Sequence, residues 1–157
     1  MEKVAIFVDV QNIYYTTKQS YRRHFNYTAF WSQATAGREV IAAFAYAIDK
    51  GDCKQQGFQQ VLRNIGFEVK LKPYIQRSDG SAKGDWDVGI TLDAIDYAAK
   101  VDVIILLSGD GDFDLLLDKA RNVYSVTTEV YGVPALTAPS LINSASRFMA
   151  IDDKLLL

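Results

Sequence analysis

At 157 residues, 49% of them hydrophobic and 23% charged, the chain has the size and balance of one globular domain around one core. A single cysteine, Cys53, excludes an internal disulfide and a thiolate zinc site, and a single histidine, His24, excludes most histidine-rich metal centres. The net charge of −2 does not suit a protein that coats nucleic acid nonspecifically, and no apolar run approaches the roughly 20 residues that span a bilayer.

Residues 1–10 are too short and too acidic for a signal peptide, so a cytoplasmic location is expected. Val4, Ala5, Ile6, Phe7 and Val8 are continuously apolar, as in a buried parallel strand, and Asp9 stands at its C-terminal end. Residues 11–20 read as a helix that Asn12 caps or that brings Asn12 to a site. Residues 27–35 read as a second, short helix and 40–48 as strand two. A helix over 54–64 ends at Gly66, and a strand over 67–71 stops before Pro73. Residues 77–84 form a polar loop. The next helix begins near Asp85 and carries Val88, Leu92, Ile95 and Ala99 as one apolar stripe. A second continuous apolar strand, 103–107, runs into Ser108, Gly109, Asp110, Gly111 and Asp112. A helix over 113–123 turns Leu116, Leu117 and Ala120 inward. A strand at 127–130, a helix at 141–146 and a short last strand at 148–151 complete the chain. The alternation predicts one α/β domain over 1–157, with a mostly parallel sheet and flanking helices.

Ligands of open α/β sheets bind beyond the carboxyl ends of the strands, where strand order reverses. The two most apolar strands both end in aspartate, at Asp9 and Asp110. As neighbours their backbones would lie roughly 4.8 Å apart. Two carboxylates that close repel, and one takes up a proton unless a cation intervenes. Asp112 follows at the mouth of the next helix. Gly109 and Gly111 are expected to permit positive φ and close approach of backbone and substrate. Asp87 shares a helix face with Ile90, Thr91 and Ala94, so it can point inward. Asp85 is an alternative ligand, and Asp93, about 240° around the helix from Asp87, faces elsewhere. Taken singly, each aspartate also suits a turn or helix cap. Together, without a basic partner nearby, they favour a hard cation on oxygen ligands, Mg²⁺ or Mn²⁺.

Residues 14–25 interleave Lys18, Arg22 and Arg23 with Tyr14, Tyr15, Tyr21, His24 and Phe25. Such a surface stacks unpaired bases and contacts phosphates, or else it is a helix with a solvated basic end and buried tyrosines. Trp86 either stacks a base or packs against the fold. Phe30 and Trp31 read as core or a hydrophobic lid, and Cys53 as an unreactive thiol. Neither a base nor a ligand role is assigned to His24.

Three segments now resemble a known family. Phe7-Val8-Asp9-Val10-Gln11-Asn12, Lys83-Gly84-Asp85-Trp86-Asp87-Val88 and Ser108-Gly109-Asp110-Gly111-Asp112-Phe113 are similar, in order and spacing, to the motifs of the NYN domain. The likeness is greatest to its LabA-like bacterial branch and spans essentially the whole chain. It implies a Rossmann-like, three-layer PIN-like fold with about five or six strands and helices on both faces. It also implies a Mg²⁺- or Mn²⁺-dependent ribonuclease site holding metal on Asp9, Asp87, Asp110 and Asp112. Asn12 and Ser108 would orient water or phosphate, and Lys83 either neutralises phosphate or is a solvated loop lysine, with Lys18, Arg22 and Arg23 as further substrate contacts. The family's Lys-Gly-x-Asp-Val pattern carries one inserted residue here, so both Asp85 and Asp87 stand as ligand candidates. The implied partner is RNA, single-stranded or structured; a homodimer stays open. The alternative is a non-catalytic RNA-binding or regulatory protein that retains the pocket. A dinucleotide-binding domain is disfavoured, because Gly-x-Gly-x-x-Gly is absent after strand one.

Overall fold

Strand β1 (Glu2–Asp9) sets the frame. Residues Val4 to Val8 are all fully buried, and they alternate between two cores. Val4, Ile6 and Val8 join one apolar cluster, and Ala5 and Phe7 join the other. A strand buried on both faces must be apolar at every position, which is why this run shows no polar alternation. The computed structural model describes residues 1–73 and 85–157 and, between them, the backbone of residues 75–76 and 82–83.

The remaining strands of the main sheet are β2 (Arg38–Asp49), β3 (Glu68–Pro73), β6 (Val103–Leu107), β7 (Thr127–Gly132) and β8 (Arg147–Ala150). They form a six-stranded sheet in the order β3-β2-β1-β6-β7-β8, with every pairing parallel. Helices α1 (Val10–Tyr21), α2 (Tyr27–Thr35) and α3 (Cys53–Ile65) cover one face, through Ile13, Phe30 and Leu62. Helices α4 (Asp87–Ala98), α5 (Asp114–Tyr124) and α6 (Pro139–Ser144) cover the other, through Ala94, Leu117 and Leu141. This is the three-layer α/β fold that the motifs implied.

The chain builds outward from β1 to β2 and β3, then crosses to β6 on the other side. Strand order therefore reverses between β1 and β6. Val8 pairs with Leu107, so Asp9 and Ser108 emerge side by side at the carboxyl rim.

Several expectations change. The stripe through Val88 and Leu92 does not face the core; these residues are 70% and 62% exposed. The buried line is Ile90, Ala94 and Ala98, also at helical spacing. Two apolar lines compete on α4, and the one with small alanines lets the helix sit close to the sheet. Strand β3 runs through Pro73, which an edge strand tolerates because no ladder bond needs its missing N–H. Residues 82–83, expected as loop, form β5 (Ala82–Lys83), antiparallel to β4 (Ile75–Gln76). The rest of the polar loop, 77–81 and 84, lies outside the described residues. The helix expected over 113–123 opens with a 3₁₀ turn, Gly111–Phe113, before α5.

Candidate metal centre

The rim of β1 and β6 is stitched by its own polar groups. Asp9 is the N-cap of α1: one carboxylate oxygen accepts the Asn12 N–H at 3.4 Å. Its other oxygen accepts the Ser108 hydroxyl at 3.2 Å. The Asn12 side-chain oxygen in turn accepts the Gly109 N–H at 2.9 Å. Ser108 Oγ accepts the Asp110 N–H at 3.2 Å, and Asp110 Oδ1 accepts the Asp112 N–H at 2.9 Å. Asp9 and Asp110 are thus helix caps and rim carboxylates at once. Capping occupies only part of a carboxylate's accepting capacity, so the two roles do not compete.

Helix α4 delivers the third side chain. Its start is pinned by Trp86, whose indole N–H donates to the Ala47 carbonyl at 2.8 Å and whose ring lies 5.2 Å from that of Tyr46. Lys72 sits over the Trp86 ring at 4.4 Å and donates to the Asp85 carbonyl at 3.2 Å. Trp86 therefore packs. Gly89 makes this possible, since a Cβ there would lie 2.6 Å from the indole. The Asp85 carboxylate accepts the Asp87 N–H at 3.3 Å and stays exposed, outside the cluster that Asp87 joins. Asp87 points inward. One oxygen each from Asp87, Asp110 and Asp112 lie within 4.8 Å of one another. Asp9 falls outside that trio, set back against Ser108. Asp93 faces away, accepting the Tyr46 hydroxyl and pairing with Lys70, both at 2.7 Å.

Burial pushes the Asp9 carboxyl up to about 6, against the hydrogen bonds from Asn12 and Ser108 and with the charges of Asp110 and Asp85. Burial, a hydrogen bond shared with Asp110, and the charges of Asp110, Asp85 and Asp9 push Asp87 up to about 7. Among the described residues, no Lys or Arg pairs with Asp9, Asp87, Asp110 or Asp112. Uncompensated negative charge on hard oxygen donors is the chemistry that a divalent cation relieves. The trio fits one.

The glycines act differently from expectation. Neither Gly109 nor Gly111 has a positive φ. A Cβ at Gly109 would lie 2.7 Å from the Leu136 carbonyl, and one at Gly111 2.8 Å from the Ala138 Cβ. What approaches closely is the chain's own loop, and the Ala138 N–H donates to the Gly109 carbonyl at 3.0 Å.

The basic candidates are not gathered at the carboxylates. Lys18 and Arg22 are exposed at the far end of α1, roughly 13–20 Å along the helix axis from Asp9. Arg23 pairs with Asp153 at 2.5 Å and donates to the Leu157 carbonyl at 2.8 Å, tying down the last residues. The Lys83 side chain lies outside the described residues. Phe30 is fully buried and Trp31 packs on Phe67 at 5.0 Å, both as core. Lys72 and Gly89 were not singled out in the sequence. The one available signal was a glycine three residues beyond a tryptophan at a helix start.

A parallel three-layer sheet with carboxylates converging at its switch point defines a PIN-like α/β protein carrying an acidic, metal-competent pocket. The profile of the NYN domain family matches residues 3–152, and the chain belongs to that family, in its LabA-like branch. It is 28% identical to the low amplitude and bright protein LabA of Synechococcus elongatus, over 96% of this chain and 84% of that protein. A crystal structure of a protein of unknown function from Vibrio parahaemolyticus RIMD 2210633 is 59% identical, covers 99% of this chain and 96% of its own, and superposes with a TM-score of 0.95. Among the described residues, no helix is long and apolar enough to cross a membrane.

Proposed function

We propose that the protein is a ribonuclease that hydrolyses RNA phosphodiester bonds with Mg²⁺ or Mn²⁺ held by Asp87, Asp110 and Asp112, supported from behind by Asp9. The observation that carries this reading is the convergence of three carboxylate oxygens within 4.8 Å with, among the described residues, no cationic side chain paired to them. When bound, the cation supplies charge neutralisation on the phosphodiester and an activated water.

The chain's own groups divide the remaining work. The Asp9 and Asp87 carboxyls are pushed up to about 6 and about 7, so a cation held at this site would compete with protons and bind more tightly as pH rises. Ser108 donates to Asp9 and accepts from Asp110, which fixes the spacing of both carboxylates. Asn12 spends its side-chain oxygen on Gly109, leaving its two amide N–H donors to orient a phosphate oxygen or water.

The test is incubation of end-labelled RNA with purified protein and Mn²⁺. Cleavage that Asp110→Asn removes supports the reading. RNA bound but never cut would make the chain a binding module that keeps the pocket, in line with a regulatory role.

A further inference from the structure

The exposed line of α1 leads away from the acidic site and ends in a groove that the metal chemistry does not use. Gln11, Tyr14, Lys18 and Arg22 follow one another at spacings of three, four and four, so they lie on one side of the helix. Asp9 caps the start of this helix, so the line begins beside the rim of the pocket. At its far end Tyr14, Lys18, Gln19, Arg22, Arg23 and His24 line a groove of about 520 Å³.

The groove has the chemistry of a base-and-phosphate seat. Tyr14 is 42% exposed, and its ring stacks on His24 at 5.9 Å with 24° between the planes. Lys18 donates to the Tyr14 hydroxyl at 3.3 Å and lies 5.4 Å over its ring. Among the described residues, no carboxylate pairs with Lys18 or Arg22, although the chain carries a net charge of −2. Arg23 is occupied by Asp153 and belongs to the wall. Arg22 is held in a left-handed conformation, φ 54°, with its N–H closing α1 on the Lys18 carbonyl. That conformation is unfavourable for a side chain of this size.

We propose that this line is the track of single-stranded RNA, which passes from the acidic pocket along α1 and seats an unpaired base against Tyr14 and His24, with phosphates on Lys18 and Arg22. A duplex does not fit this chemistry, because its bases are already stacked and present no free face. The inference rests on the nuclease reading of the pocket and names the form of RNA that the pocket receives.

Fluorescence anisotropy tests it, with fluorescein-labelled oligouridylate and a duplex of equal length, in Mn²⁺. Every protein tested carries Asp110→Asn, so that RNA is not cut. Tyr14→Ala, and Lys18→Gln with Arg22→Asn, should each weaken single-strand binding about tenfold, while Tyr14→Phe binds as before. The double charge variant should also flatten the salt dependence by about 1.4 in log–log slope, two phosphates' worth. Duplex binding should be weaker and indifferent to Tyr14. Because Tyr14, Lys18 and Arg22 are exposed, melting temperatures should barely move. Unchanged single-strand affinity in these variants overturns the track and leaves the nuclease reading intact. Preference for duplex overturns it as well. Failure to bind any RNA, with no cleavage by the otherwise unaltered chain, overturns both.

Discussion

The side-chain oxygen of Asn12 accepts the Gly109 N–H at 2.9 Å, joining the helix after β1 to the loop after β6 across 97 residues of sequence. This bond sets how far apart Asp9 and Asp110 stand, because each lies within three residues of one end of it. Gly109 is buried, so its N–H has no ready substitute partner. Asn12→Ala should therefore lower stability by about 1–2 kcal/mol, the penalty for a buried N–H left unpaired. Thermal unfolding would register a drop of a few degrees. Cleavage should fall much further than the population of folded protein does, because the amide donors are also removed. Equal losses in the two measurements would reduce Asn12 to a structural role.

Acidity gives the second prediction. Between about pH 4 and pH 7 the folded chain keeps protons on Asp9 and Asp87 that the unfolded chain has released. Folding then takes up protons, so stability falls as pH rises through this window. For Asp9 alone, a rise from 3.8 to about 6 amounts to on the order of 3 kcal/mol. Asp87 is more open to solvent and adds a screened contribution. The melting temperature without metal should be higher near pH 5 than at pH 7.5, and Mn²⁺ should remove or reverse the difference. A profile that climbs steadily to pH 7.5 in chelator would contradict the crowding of these carboxyls.

A third prediction separates stability from function. Arg38 holds Glu129 with two hydrogen bonds, at 2.9 and 2.7 Å, and Glu129 is 1% exposed. The only other cation on Glu129 among the described residues is Arg147, at 3.2 Å and itself 62% exposed. Arg38→Met should cost about 3 kcal/mol by leaving a buried carboxylate poorly compensated. Arg38 begins β2, at the end of the sheet opposite the acidic rim, so Mn²⁺ affinity of the folded variant should be unchanged. Denaturant unfolding and Mn²⁺ titration together check both halves.

The elements around Asp9 and Asp110 were legible because strands buried on both faces must be apolar throughout. Residues 40–48 are apolar throughout as well and form the third such strand, β2, but only residues 4–8 and 103–107 run directly into the Asp9 and Ser108–Asp112 segments of the rim. Helix α4 was harder, since Val88 with Leu92 and Ile90 with Ala94 are equally periodic. What decides between them is the seat of Trp86 on the Ala47 carbonyl, a contact 39 residues distant in sequence. Gly109 and Gly111 were legible as special but not for the right reason. The loop that crowds them arrives from residues 136–138, and no local pattern announces it. Asp87, Asp110 and Asp112, whose oxygens converge, all stand in the three motifs, yet only the coordinates show that Asp87 and not Asp85 joins that cluster.

That choice yields the last prediction. Asp87 lies among the like charges of Asp110, Asp85 and Asp9, whereas Asp85 is exposed and accepts the Asp87 N–H. Asp87→Asn removes a repelled charge while keeping the shape of the side chain. It should raise the melting temperature of the metal-free chain at pH 7.5 and, in the same experiment, abolish the stabilisation by Mn²⁺. Asp85→Asn loses a charged acceptor at a helix start and should lower the metal-free melting temperature slightly, leaving the Mn²⁺ response close to that of the unaltered chain. The two variants thus move in opposite directions without metal and differ again with it. If Asp85→Asn is the one that loses the Mn²⁺ response, the cation sits nearer the mouth of the pocket than the trio of Asp87, Asp110 and Asp112 implies, and the ligand comes from the turn before α4 rather than from its first residue.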